Sequence, residues 1–417
     1  MPRIVMAALL WAAGTAAASQ GAAQDTIRRV SLDEALALFA RHNMELRITR
    51  AEAAAAAAGA RQAAAYPNPV VAATREMLGD GGQRYDETYL TLAQHLRWPW
   101  ESAAWGRAAT AEREAATYRV AGDSLRLAFE VKRAFVEAAG AERVRDGLAE
   151  ATGVVREALE DATRRAAEGD LSGYALRRLR VERARYEVDL SAATIAVEGA
   201  RRRLGALLLP DSAVPLAPTA LPAGTPPEAA LMLATQPEPP TPTVAAARAL
   251  LDVARAEEQA VGRSQLPAFS ATGGYKTQSD GFSGAFLGLS LPLPLFDRRG
   301  AAATEAGAAT ARAEAHLALV RRLAENDRRL ASESYAAARA RAALFEGELL
   351  AEPDALLRIA QVAYTEGEMS LVELLDAMDA YRAARVAAVE ARRDLWISYF
   401  DLERAAGGLP AGPEGNR

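Results

Sequence analysis

The stretch YTEGEMSLVELLDAMDAYRAAR, residues 364–385, decides how the chain is read. A glycine separates two helical runs, and Ser370 stands where a helix N-cap belongs. The segment EGDLS at 168–172 echoes EGEMS at 366–370, with 198 residues from Gly169 to Gly367. Glycine suits both turns because it takes positive φ without steric cost. The flanking runs are long: there is no proline from Trp100 to Leu209, and none from Leu295 to Glu352. A helix over about 101–167 would be on the order of 100 Å long at 1.5 Å per residue. That exceeds ordinary globular helices and points to coiled-coil packing. Leu125, Phe129, Val136 and Ala139 fit a stripe on one face of it. Pro353 is expected to break or kink the second run.

Working outward, the same order of segments is written twice. Short helices are expected at 31–43 and 226–237, then second helices at 45–64 and 243–264. YPNP (66–69) and SQLPAF (264–269) mark the change to extended chain, and QHLRWPW (94–100) answers LSLPLPLF (289–296). Ten of the 20 prolines lie between Pro210 and Pro242, so this segment reads as a linker, with a short helix near 227–234. The expected organisation is a signal peptide at 1–23, a first repeat at 24–209 and the proline-rich linker at 210–242. A second repeat at 243–406 and a flexible tail at 407–417 complete it.

Four extended segments lie between the helices, at about 67–77, 86–97, 267–276 and 283–293, around polar loops at 79–87 and 277–283. Each has about ten residues, the length that crosses a bilayer as a tilted strand. In the last, Ala285, Leu287, Leu289 and Leu291 alternate with Phe286, Gly288 and Ser290. Tyr66, Tyr85, Trp98, Trp100, Tyr275 and Phe296 stand near the segment ends, where Trp and Tyr favour a membrane–water interface. Four strands cannot close a barrel, and lipid tolerates no open edge. Membrane-spanning strands here require several chains to share one barrel.

Composition narrows the function. Net charge is −5 and only Lys132 and Lys276 are lysines, which argues against nucleic-acid binding. With no cysteine, the chain has no disulfide, thiolate metal site or lipidated cysteine. His42, His95 and His316 are far apart, and no nucleophile–histidine set is evident. The glycines at 79–82 and 273–274 sit in strand or hairpin contexts, not in a phosphate loop. No enzyme activity, cofactor or resident metal is expected. Arg3, the apolar run Ile4–Ala18 and the small residues before Gln24 read as a secretory signal. No later run is long enough for a transmembrane helix.

The LPLPLFDRRG segment at 291–300, the 364–385 stretch and the doubled order of segments resemble the TolC-like outer-membrane efflux proteins over about residues 30–406. Both motifs look most like members serving heavy-metal cation pumps. The resemblance implies a mixed but mainly α fold: a homotrimer with a shared transmembrane β-barrel, four strands per chain, and a long-helix α-barrel in the periplasm. It implies a passive duct in the outer membrane, joined by a periplasmic adaptor to an inner-membrane pump, proton-driven in such systems. Gly169, Leu171, Ser172, Gly367, Met369 and Ser370 would form the adaptor-docking turns. Glu373 and Asp376, with Asp379 as a weaker third, would line a cation-selective periplasmic gate. On residues alone they read as a solvated helix face. Their first-repeat counterparts, Ala175 and Arg178, show that the shared fold does not demand acids there. Members often carry a basic residue where this chain has Met369; Arg177 or Arg178 are the nearby substitutes for that latch. Drug or solvent efflux and type I secretion are alternative cargo readings. A soluble periplasmic coiled-coil scaffold is an alternative of another class.

Overall fold

One helix sets the length of the molecule. In the computed structural model, which describes residues 27–209, 216–226, 241–263, 268–293, 300–345 and 348–408, α3 runs Pro99–Glu168. Its 70 residues span about 105 Å. Pro99 opens it at a position where the missing N–H would have no helical partner. Its buried residues are not confined to the stripe expected from sequence. Near the middle Ala134, Phe135, Val136, Ala138, Ala139 and Gly140 are all buried, because helices pack on several sides of it. Small residues make this close approach possible, and the Arg393 stem lies 3.4 Å from where a Cβ on Gly140 would sit.

The other helices are α1 (Leu32–His42), α2 (Met44–Ala64), α4 (Gly173–Leu208), α5 (Pro242–Arg263), α6 (Gly300–Ala343), α7 (Glu348–Thr365) and α8 (Leu371–Ala405). They form two tiers along α3. In the tier near the strands the lateral order is α2, α3, α5, α6; in the tier near the turns it is α4, α3, α8, then α6 and α7. Among the described residues no helix is long and apolar enough to cross a membrane.

Between the tiers lies a belt whose strand pairing the sequence does not reveal. Strand β1 (Arg28–Val30) pairs in parallel with β4 (Leu216–Pro218), at the edge of the proline-rich segment. Beneath it Phe135, Leu204, Leu208, Tyr335, Leu395 and Tyr399 share one core. A buried carboxylate ties the belt to the helices. Glu142 accepts from Arg201 Nε at 2.8 Å and from Arg29 at 3.3 Å, while Arg29 also donates to the Pro218 carbonyl at 2.9 Å.

The four remaining strands, β2 (Val70–Asp80), β3 (Gln83–Leu96), β5 (Phe269–Gln278) and β6 (Ser283–Ser290), form one antiparallel sheet in that order. Two expectations are corrected here. The first hairpin has no nine-residue loop. Its ladder continues to Asp80↔Gln83, and the turn is Gly81-Gly82 alone, both at positive φ. Such a pair satisfies a two-residue hairpin, so polar residues 83–86 are strand. Pro353 also does not mark the break. Helix α6 ends ten residues earlier, at Ala343, where Leu344 and Phe345 close tight turns onto Arg341 and Ala342. Pro353 lies inside α7, within its first two turns. The signal segment, the helix expected at 227–234, Phe296, most of LPLPLFDRRG and residues 409–417 lie outside the described residues.

Candidate functional site

The two turns end their helices in the same way. At Gly169 (φ 91°) the Asp170 N–H reaches back to the Arg165 carbonyl at 2.9 Å; at Gly367 (φ 79°) the Glu368 N–H reaches Ala363 at 2.8 Å. Each is the six-to-one closure that a left-handed residue permits, and a side chain at either glycine would strain it. Ser172 Oγ then accepts from Ala175 N at 3.2 Å, starting α4. Ser370 Oγ accepts from Glu373 N at 3.4 Å, starting α8. Leu171 and Met369 pack against one buried cluster that includes Leu179, Leu357, Tyr364, Leu371 and Leu374, so both turns share one apolar tip. Arg165 crosses between them, donating to the Tyr364 carbonyl at 3.4 Å and lying 5.4 Å from its ring centre.

The three acids expected at the gate occupy three different environments. Glu373 folds back on its own helix start, accepting from Ser370 Oγ at 2.7 Å and Ser370 N at 2.9 Å. The Ser370 hydroxyl, then its backbone N–H, hold the Glu373 carboxyl below the usual carboxylate range. Asp376 is exposed, one turn on, and has no ion pair or hydrogen bond among the described residues. Asp379 is cross-linked to α4. It accepts from Tyr186 Oη at 3.1 Å and from Arg185 at 3.4 Å, and Arg382 lies 3.4 Å away. Arg382 also pairs with Asp189 on α4. Tyr186 is buried, and burial, then the Asp379 charge, push its phenol above the ordinary value. Arg177 and Arg178 make no ion pair among the described residues; the arginines that pair across α4 and α8 are Arg185 and Arg382. The signal was partly legible, since Arg382 follows Asp379 by three positions on one helix face.

At the opposite end the register sorts the sheet into two faces. Val71, Ala73, Leu90, Leu92, Ala271, Gly273, Tyr275, Ala285, Leu287 and Leu289 share one, and Leu287 is 92% exposed. The other carries Glu87, Tyr89, Lys276, Gln278, His95 and Ser270. There Glu87 takes bonds from Tyr89, from Gln278 at 2.6 Å and from Lys276 at 2.9 Å. The Phe286 ring lies over Gly274, where a Cβ would stand 2.7 Å from it and 2.7 Å from the Leu90 carbonyl oxygen.

Of the expected interface aromatics, Trp98 stacks on Trp100 at 4.8 Å and leans on Phe269 at the helical end, near exposed Tyr66. Tyr275 is on the apolar face. Tyr85 is not: its strand parity puts it beside Glu87, and its hydroxyl approaches Asp280 at 3.5 Å.

The lateral edges of every tier are unpartnered. On α4 the residues Tyr174, Val181, Val188 and Ile195 recur every seven and are 67–75% exposed. They lie two residues, about 200°, from the buried Leu179 and Tyr186. On α7, Ile359 and Val362 stand exposed in the same relation to buried Leu357 and Ala360. Strands β2 and β6 are the open edges of the sheet.

Known proteins share this architecture. Residues 240–408 match the family model described as outer membrane efflux protein. The chain is 27% identical over 365 residues to the cobalt-zinc-cadmium resistance protein CzcC of Cupriavidus metallidurans, covering 86% of this chain and 85% of that one. Among solved structures it resembles a membrane protein from Pseudomonas aeruginosa, with TM-score 0.78 at 21% identity, covering 92% and 91% of the two chains. It also resembles the Campylobacter jejuni CmeC outer membrane channel, with TM-score 0.76 at 16% identity, covering 98% and 94%. With an open strand sheet at one end and paired helical turns at the other, the chain shares the fold of these structures, and its second half, residues 240–408, is similar to the outer membrane efflux protein family.

Proposed function

We propose that three copies of this chain form a passive duct that carries divalent heavy-metal cations out through the outer membrane. The observation that carries the assembly is that all tiers leave open the same two sides. One side bears β2, α2 and α4; the other bears β6, α6 and α7. Strand and helix directions alternate across each tier, so joining one side to the other side of a second copy continues the alternation. Three copies supply twelve strands, enough for a closed barrel. The seven-residue stripe of α4 would then seat against α7 of the next copy. Tyr174 and Val362 are each five residues from their turn glycine, so they stand at one level.

The cargo reading rests on the relative's name, cobalt-zinc-cadmium resistance, and on the uncompensated carboxylates Glu373 and Asp376 near the tip. The turns around Gly169 and Gly367 would receive a periplasmic adaptor, and the energy would come from an inner-membrane pump. Deletion in the source organism, followed by zinc, cobalt and cadmium tolerance assays with complementation, tests the cargo. Unchanged metal tolerance together with raised sensitivity to organic toxicants would transfer the reading to drug efflux.

A further inference from the structure

The register fixes the outer, apolar face of the sheet as a series of rows. Going toward the hairpin turns, one row holds Val71, Leu92, Gly273 and Leu287; the next holds Ala73, Leu90, Tyr275 and Ala285. The following row changes chemistry on all four strands at once, to Arg75, Thr88, Thr277 and Ser283. Asp86 and then Arg84 continue the same face beyond it. Asp86 accepts from Arg75 at 2.8 Å and from Arg84 at 3.2 Å, so two guanidiniums share one carboxylate and one positive charge is left over. Both arginines remain open, at 60% and 68% exposure. The nearby charges are committed elsewhere. Glu76 lies on the opposite face, where Glu87 and Lys276 pair, and Asp280 accepts from the Phe282 N–H within its own turn.

We propose that Arg75 and Arg84, with the hydroxyls of Thr88, Thr277 and Ser283 beside them, bind the phosphate group of an anionic glycolipid in the outer leaflet. This rests on the reading of the chain as an outer-membrane channel with its helices in the periplasm, which puts the hairpin turns at the cell surface. The rows from Leu96 to Leu90, apolar apart from Gln94, cover about 20 Å of strand at about 3.3 Å per residue, or about 15 Å of depth at the usual strand tilt of about 40°. Tyr275, half exposed, marks their upper limit, the level at which aromatic rings meet headgroups. The row of donors therefore falls at headgroup depth. A guanidinium presents a planar fork that matches phosphate in bidentate fashion, and hydroxyls at the same level add donors. An unmatched positive charge at that depth attracts an anionic headgroup within a screening length.

The test uses the intact, detergent-solubilised protein and native mass spectrometry. Wild type and the Arg75→Gln/Arg84→Gln variant are titrated with bisphosphorylated lipid A, with dephosphorylated lipid A and with inorganic phosphate. Wild type is expected to bind the phosphorylated lipid at least tenfold more tightly than the variant does, and tenfold more tightly than it binds the dephosphorylated lipid. Equal binding by wild type and variant, or by the two lipids, overturns the proposal; so does inorganic phosphate that displaces the lipid at equal concentration, which would make this a free-anion site. If the double variant does not assemble, Arg84→Gln alone decides. It leaves Arg75 and Asp86 as a neutral pair, and the same tenfold loss is expected. The same spectra report oligomer mass. A trimer without lipid discrimination sinks only this proposal, whereas a monomer that stays soluble without detergent sinks the channel reading itself.

Discussion

Asp379→Asn separates two roles that sequence alone assigns to one acidic cluster. In the folded protein Asp379 holds α8 to α4 through Tyr186 and Arg185, while Arg382 is its neighbour on α8 itself. The amide keeps the tyrosine bond as a neutral one, and a hydrogen bond to a charged group exceeds a neutral one by about 1 kcal/mol. The Arg185 contact, the one arginine bond of Asp379 that crosses between the helices, is partly exposed, Asp379 being 40% open, so it is held to about 0.5 kcal/mol. The sum is about 1.5 kcal/mol per chain, or roughly a tenfold shift in any equilibrium that parts the two helices. Asp376→Asn removes a charge with no partner and should leave stability within about 0.5 kcal/mol.

Two measurements tell them apart. Hydrogen exchange across 179–190 and 374–385 should accelerate on the order of tenfold in Asp379→Asn and stay near wild type in Asp376→Asn. Planar-bilayer recordings should show the reverse ranking, with the cation-over-anion preference falling in Asp376→Asn and further in the double variant with Glu373→Gln. The preference should also fade with added salt, as the screening length drops from about 10 Å at 0.1 M to about 3 Å at 1 M. Unchanged selectivity in the Glu373→Gln/Asp376→Asn protein would refute the gate reading and leave a polar helix face. Unchanged exchange in Asp379→Asn would refute the tether.

Gly274→Val should destabilise the sheet by about 1–3 kcal/mol, because its side chain meets a backbone carbonyl as well as the Phe286 ring; Phe286→Ala should relieve only part of the loss, read as the temperature at which the detergent-stable oligomer dissociates. Glu142→Ala leaves the buried Arg201 with only its 3.3 Å contact to Glu198 and should cost about 2–3 kcal/mol in thermal or denaturant unfolding, whereas replacing Glu142 and Arg201 together by Leu and Met should recover most of it. Glu373 has a folded pKa below its unfolded one, so its contribution to the α8 start is present above the ordinary carboxylate pKa and fades as pH falls through the lowered value. Exchange at 371–375 should therefore gain an acid-dependent acceleration below about pH 4 that Glu373→Gln lacks.

What the sequence disclosed was what local chemistry determines. Turn glycines, N-cap serines and strand alternation act over a few residues, and each stood where it was read. The polar segment 79–87 misled because strand ends at a solvated hairpin need no apolar residues, so polarity there does not end a strand. The same error hid the parity that turns Tyr85 away from the apolar face. Other features depend on residues distant in sequence. The pairing of Arg28–Val30 with Leu216–Pro218, the Arg201–Glu142 contact and the tether from Tyr186 to Asp379 leave no periodic trace. Which of three nearby acids stays uncompensated depends on what faces them from α4, and spacing along α8 is silent on that.

The alanine-rich composition follows from the same geometry. A helix on the surface of a bundle buries one broad stripe and fills it with large side chains. α4 instead carries two narrow stripes about 200° apart, one buried within the chain and one bare. A helix with opposite seams has neighbours on both sides and solvent on the two faces between, which is the position of a stave in a wall. Each seam is thin, so close approach through alanine replaces a deep core. Substituting charge into the bare seam, as in Val181→Glu/Val188→Glu, should leave the fold of one chain intact, since nothing within it touches that stripe. It should abolish the trimer. Circular dichroism at wild-type helicity together with a monomeric mass in detergent is the expected pair of results. A trimer that survives both charges would place the contact between copies on some other face, and the stave argument would fail with it.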